Sequence, residues 1–203
     1  MGTRERRERE KEALRQDILD AARELFVSEG YENVSMRKIA EKIEYSPTTI
    51  YLYFKDKGDL LYHICEETFA KLVATQEKIV RKYDDPVVAL KEGCRAYVNF
   101  GLKHPDQYRL TFMMSLWETP EMDGHPYEGS MGQKAFGFLV QGVTRCVQQK
   151  KFRKVDIEAT SQAIWMAIHG ATSLLITDQE FPWVERHKLI GHLIDTLIIG
   201  LKA

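Results

Sequence analysis

From residue 46 the chain reads Ser46-Pro47-Thr48-Thr49-Ile50-Tyr51-Leu52-Tyr53-Phe54-Lys55-Asp56-Lys57, hydroxyls and methyls followed by cations at the spacing of a short helix. Threonine hydroxyls can bond base edges or phosphates, and their methyls can pack on thymine methyls. The Tyr53 phenol can donate to a phosphate oxygen. At about 100° per residue, Thr48, Thr49, Leu52 and Tyr53 share one side of such a helix, and Ile50, Tyr51 and Phe54 the other. The first set is expected to face outward. The second is expected to pack on Ile39, Ala40 and Ile43 of the preceding segment and on Leu25 and Phe26. Arg37, Lys38, Lys55 and Lys57 flank the tip. Over residues 35–57 five basic side chains stand against Glu41, Glu44 and Asp56, a local surplus of two positive charges. The pattern suits a phosphate-lined groove, and equally an ordinary helical corner with a solvated rim.

No other constellation points to chemistry. His169 and Ser173 lie one helical turn apart, but neither a third member nor an oxyanion-forming glycine motif accompanies them. There is no phosphate-binding glycine loop, no HExxH and no GxSxG. His187 and His192 would point about 140° apart on a helix, which makes them poor co-ligands. Cys65, Cys94 and Cys146 have no metal-ligand spacing and read as reduced, buried thiols. No enzyme, metal or cofactor is expected.

The elements that must position the tip are helical throughout. Residues 14, 18, 21, 22, 25 and 26 form an amphipathic stripe that stops at Gly30. Ser35 caps a short helix from Met36 to Ile43, and Ser46-Pro47 starts the next as N-cap and first helical residue. Asp56 opens a long helix towards Lys82, and Asp84-Asp85-Pro86 opens another that ends near His104-Pro105. Pro105 begins a helix through about Trp117, and residues 118–130 form a loop. Helices over roughly 131–151, 156–178 and 183–201 complete an all-α chain of about nine helices.

Length and charge bound the rest. The chain has 203 residues, 44% of them hydrophobic, with a formal net charge of -1. That is enough for a substantial core and too little charge for DNA attraction through bulk polyelectrolyte binding. The N-terminal arm, residues 1–13, alternates Arg and Glu without an apolar stretch, and no apolar run approaches the ~20 residues of a membrane span. A cytoplasmic protein with no membrane partner is expected. The arm's acids offset its arginines, which favours a solvated extension of the first helix over an arm reaching DNA through Arg4, Arg6 and Arg7.

Ile18-Leu19-Asp20-Ala21-Ala22-Arg23-Glu24-Leu25-Phe26, Gly30-Tyr31, and Ser35-Met36-Arg37-Lys38-Ile39-Ala40 resemble the opening of TetR-family transcriptional regulators. Ser46 to Lys57, followed by Leu60-Leu61, is similar to that family's recognition helix and the start of its connecting helix. The resemblance implies a DNA-binding domain over residues 1–57 and a ligand-binding and dimerisation domain over 58–203. It implies a homodimer on a pseudo-palindromic operator in double-stranded DNA, usually as a repressor, released by a small ligand; the aromatic and Met-rich composition of the C-terminal part points to an apolar or aromatic effector. By position the resemblance places operator contacts at Arg37, Thr49, Leu52 and Tyr53, and phosphate contacts or their supports at Tyr51, Lys55 and Lys57. Thr48 on the outward face, Lys38 beside the tip and the N-caps Ser35 and Ser46 complete the expected DNA-binding set. Glu44 departs from the family's usual glycine, at a cost of ~1 kcal/mol if φ is positive there. The competing class is an all-helical small-molecule-binding protein or enzyme that binds no operator.

In the C-terminal part, Tyr97, Tyr108, Phe112, Met113, Trp117, Phe138, Trp165 and His169 belong to an aromatic and Met-rich set of the kind that lines ligand cavities. His169 reads either as a ligand anchor or as a core histidine bonded to a carbonyl. His104-Pro105 and Trp165 to Gly170 resemble a Trp-His-Gly type of C-terminal domain within the family. The last two helices are apolar on two sides, which points to a four-helix bundle with a second copy. The expected interface residues are Ile164, Ile168, Ala171, Leu175, Ile190, Leu193, Ile194, Leu197 and Leu201.

Overall fold

The computed structural model describes residues 3–113 and 125–203, which form two compact units. The first lies within Met1–Glu67 and Arg109–Pro126, the second within Thr68–Tyr108 and Tyr127–Ala203. All regular elements among the described residues are helical.

In the first unit, α1 (Thr3–Glu29) buries Ile18, Leu19, Ala22, Leu25 and Phe26, while its first ten described side chains, residues 4–13, stand exposed. Gly30 leaves the helix at φ 84, a conformation that glycine adopts without a Cβ penalty. A 3-10 turn (Tyr31–Asn33) then seats the Tyr31 ring 5.2 Å from Phe26. α2 (Met36–Lys42) begins where Ser35 accepts the Lys38 N–H, and it buries Met36, Ile39 and Ala40. It ends in a Schellman motif: the Glu44 N–H donates to the Glu41 carbonyl at 3.2 Å, the Tyr45 N–H to Ala40 at 2.9 Å, and Glu44 takes φ 61. α3 (Pro47–Tyr51) has Pro47 in its first turn and Ser46 as its cap. α4 (Lys57–Lys82) starts where the Asp59 N–H donates to Asp56 at 2.8 Å, and it buries Leu60, Leu61 and Ile64 beneath the tip.

In the second unit, α5 (Pro86–Lys103) packs against three other helices, α7 (Met131–Gln148), α8 (Ile157–Thr177) and α9 (Arg186–Ile199). The Asp85 carboxylate accepts the Val87 and Val88 N–H groups, and those bonds hold its pKa below the ordinary carboxylate value. Lys91 reaches Asp195 at 2.6 Å and joins α5 to α9. A short backbone pairing ties the segment after α7 to the segment after α9: Phe152 bridges Lys202, and the Arg153 N–H donates to Leu201 at 3.0 Å.

Three expected helices change extent. From Pro105 a regular helix, α6 (Pro105–Tyr108), lasts one turn and widens into a π-helical turn over Arg109–Met113; residues 114–117 of the expected helix lie outside the described residues. α7 stops at Gln148 rather than 151, because Lys150 takes φ 54 and the Lys151 N–H folds back to the Cys146 carbonyl. α9 starts at Arg186 rather than 183, where the Glu185 carboxylate accepts the His187 and Lys188 N–H groups. All three thiols are buried, which pushes Cys65 and Cys94 up to about 12 and Cys146 to about 11. At those values the thiols stay protonated and weakly nucleophilic near neutral pH.

Candidate nucleic-acid interface and regulatory cluster

α2, the Glu44 turn and α3 form a helix-turn-helix. Ile50 and Phe54 anchor α3 with essentially no exposed surface. Thr48 is exposed, Leu52 is 78% exposed, and Thr49 and Tyr53 are half-buried. Tyr51 departs from expectation: it does not turn inward with Ile50 and Phe54 but stands 55% exposed. A helix of little more than one turn buries a narrow line through Ile50 and Phe54, not a broad face, so Tyr51 joins the outward surface. Ser46 Oγ accepts the Thr49 N–H at 3.2 Å and lies 2.9 Å from Thr49 Oγ1, so both hydroxyls are already fixed at the helix start.

The cations divide into available and engaged groups. Arg37 is well exposed, with an i,i+4 contact to Glu41 at 2.9 Å, and the exposed Lys55 ammonium stands 3.9 Å from Asp56. Such contacts are weak in water and readily exchanged. Lys38, by contrast, pairs with Glu29. Lys57 donates to the Tyr31 carbonyl at 2.9 Å and lies 4.0 Å from that ring's centroid, a partly buried cation–π contact. Ser35 is occupied as a cap. Asp59, which no motif in the sequence singles out, accepts the Lys55 N–H at 2.9 Å and so fixes the chain where it leaves the tip. The one signal for it is an acid in the first turn of a helix.

Five polar side chains of the second unit meet in one chain of hydrogen bonds. Trp165 Nε1 donates to Tyr97 Oη at 3.3 Å; Tyr97 and Tyr108 hydroxyls are 3.0 Å apart; Tyr108 Oη stands 2.6 Å from His169 Nδ1; His169 Nε2 is 3.4 Å from Ser173 Oγ. With the imidazole proton on Nε2, every member donates to the next and none is left without a partner. Burial lowers the His169 basicity and raises both tyrosine pKa values, so the cluster is neutral near physiological pH. Phe136 meets Trp165 edge-on at 6.2 Å. Phe112 and Phe138 are half-buried, Met113 is exposed, and Trp117 lies outside the described residues. Ser173 is the member that the sequence offers only as a neighbour of His169.

Of the residues expected at a subunit interface, Ile164, Ile168, Leu175, Ile190 and Ile194 are buried within the single chain. Ala171, Leu193, Leu197 and Leu201 are half-buried. The exposed apolar surface of α8 and α9 lies instead at Trp165, Met166 (69% exposed), Leu174 and Ile199 (63%).

A helix-turn-helix unit with an outward-facing short helix, followed by a separate helical bundle, defines the chain as a helix-turn-helix regulatory protein. The description "Bacterial regulatory proteins, tetR family" fits residues 18–64, and "Tetracyclin repressor-like, C-terminal domain" fits residues 90–197. The chain belongs to the TetR family of transcriptional regulators. Among curated relatives, an HTH-type transcriptional regulator of Staphylococcus aureus (strain MRSA252) is 30% identical over 90 residues, 44% of this chain and 49% of that protein. Another, from Staphylococcus aureus (strain USA300), is 44% identical over 52 residues, 26% of this chain and 28% of that protein. The chain therefore spans about half the length of the first relative and less of the second. Among solved structures, the fatty acid degradation regulator FadR from Bacillus halodurans superposes with a TM-score of 0.75 at 18% identity, covering 91% of this chain and 94% of that one. The TetR family regulator PfmR from Thermus thermophilus gives 0.68 at 24% identity, covering 92% and 96%. These likenesses establish the shared fold. No helix among the described residues is long and apolar enough to cross a membrane.

Proposed function

We propose that the chain is a ligand-responsive transcriptional repressor that binds a pseudo-palindromic operator as a homodimer. The observation that carries this reading is the split of the α3 segment: Ile50 and Phe54 are buried, while Thr48, Tyr51 and Leu52 are exposed, as are Arg37 of α2 and Lys55. Large exposed side chains on a helix this short and this firmly capped have no use in the fold itself. In a major groove they read base edges, while Tyr53, Lys55 and Arg37 hold phosphates. Thr49, fixed by Ser46, shares this role; Ser35, Ser46, Lys38 and Lys57 keep the elements in place.

One such tip buries too little surface for useful affinity, so two half-sites about 34–36 Å apart are needed. The exposed Met166, Leu174 and Ile199, with the half-buried Leu193 and Leu197, are the surface proposed to meet a second copy. The effector is a small apolar or aromatic molecule that enters beside Tyr97, Trp165, Phe138 and His169 and exchanges hydrogen bonds within their cluster. α4 contributes residues to both units, and a tilt of it would change the spacing of the two tips. A mobility-shift assay with DNA upstream of the protein's own gene tests the reading: a retarded band at low salt supports it, and no shift supports a helical binding protein without an operator.

A further inference from the structure

We propose that Arg4, Arg7 and Lys11, on the helical extension of α1, grip the phosphate backbone of the DNA beside the half-site that α3 contacts. This rests on the DNA-binding reading above and extends it to a segment whose alternating charges argued against it.

The structure sorts those charges. α1 is helical from Thr3, so the arm presents fixed faces instead of an average composition. Arg6 pairs with Glu10 at 2.7 Å, Arg9 Nε donates to the Glu5 carbonyl at 3.4 Å, and Glu12 lies 3.9 Å from Arg15. Arg4, Arg7 and Lys11 carry no such contact among the described residues, and all three are exposed. At about 100° per residue, Arg4, Arg7, Lys11 and Arg15 fall within roughly 80° of one another. Glu8 is the one acid at the margin of that sector.

The same sector continues down the helix through Ile18, Ala22 and Leu25, the residues that pack α1 into the helix-turn-helix unit. One seam of α1 is therefore apolar where it meets the core and basic where it leaves it. Arg15 marks the change: its guanidinium stands 5.3 Å over the ring of Phe54, directly between Tyr53 and Lys55 in sequence. From that contact the basic seam runs 11 residues to Arg4, about 16 Å at 1.5 Å per residue. A helix with one cationic seam rooted at the recognition element matches a polyanionic duplex continuing past it.

The test measures binding of the full-length protein to a fluorescent duplex from DNA upstream of its own gene, between about 50 and 200 mM salt. The triple variant Arg4→Ala, Arg7→Ala, Lys11→Ala is compared with the double variant Arg6→Ala, Arg9→Ala on the opposite flank. Melting curves establish that both keep the parent's fold. The triple variant is expected to flatten the log–log salt slope by about two to three units per protomer and to weaken binding at least tenfold. The double variant is expected to keep the parent's slope. An unchanged slope in the triple variant, with binding still abolished by Tyr53→Ala, would overturn the arm contact while leaving the operator reading intact. An equal loss in both variants would reduce it to net charge and overturn it too. A parent that binds no duplex at 50 mM salt would overturn both.

Discussion

The Tyr108 hydroxyl lies 2.6 Å from His169 Nδ1 and links α6 to the middle of α8 in the interior of the second unit. That bond fixes an imidazole in its neutral form, with Ser173 on its other nitrogen. Burial holds His169 below the ordinary histidine value, and it lowers His63 and His104 in the same direction.

A pH dependence follows from the sign of those shifts. Below about 6.5 the unfolded chain takes up protons at these histidines before the folded chain does. Their contribution to stability is complete above that pH and is lost as pH falls through the folded-state values. The urea midpoint is expected to drop between about pH 7.5 and 5.5, and to drop less in His169→Gln. A midpoint that holds or rises over that range would contradict the neutral assignment.

Close packing around the same tyrosine gives a second expectation. A Cβ at Gly101 would lie 2.7 Å from Tyr108 Cδ2 and would also strike Thr172 on α8. Gly101→Ala is expected to destabilise by about 1–3 kcal/mol through overpacking. Calorimetric melting reads this as a lower Tm, whereas alanine at Gly137, where a Cβ meets nothing within 4 Å, should not lower it.

The turn of the helix-turn-helix carries strain that glycine would relieve. Glu44 closes the α2 Schellman motif at φ 61, where a Cβ costs ~1 kcal/mol. Glu44→Gly is expected to raise the unfolding free energy by up to about 1 kcal/mol, the gain being reduced by the greater freedom of glycine in the unfolded chain. Equilibrium denaturation decides it, and a loss of stability would show that the glutamate side chain contributes a compensating contact.

Ser46 supplies the side-chain acceptor at the α3 N-terminus. Ser46→Ala should cost about 0.5–2 kcal/mol, and Ser46→Asp should recover most of it. Equal denaturation curves for all three proteins would mean that Pro47 and the Ile50 anchor suffice to hold the helix.

The parts that the sequence made legible are those decided by neighbours along the chain. Ser35, Ser46-Pro47, Asp56 and Asp85-Pro86 start helices through bonds two or three residues long, and each does so here. Tyr51 defies the helical wheel because a wheel assumes a long helix, and α3 has five residues. Ile190 and Ile194 could not be told from Leu193 and Leu197 by periodicity, since both rows are apolar and only the packing of α5 selects the row that is buried. The bonds among Tyr97, Tyr108 and His169 join positions 11 to 72 residues apart, beyond the reach of spacing. The different surroundings of the arm's arginines are hidden by composition and emerge once the helix assigns them faces.

Operator binding by the recognition segment is the claim on which the rest depends. Fluorescence anisotropy with the upstream duplex, comparing the parent with Tyr53→Ala and Lys55→Ala at matched salt, tests it most directly. The expected result is saturable binding by the parent, markedly weaker binding by both variants at unchanged melting temperature, and a salt slope about one unit shallower for each phosphate no longer held. Binding that is absent in the parent, or undiminished in both variants, would contradict it.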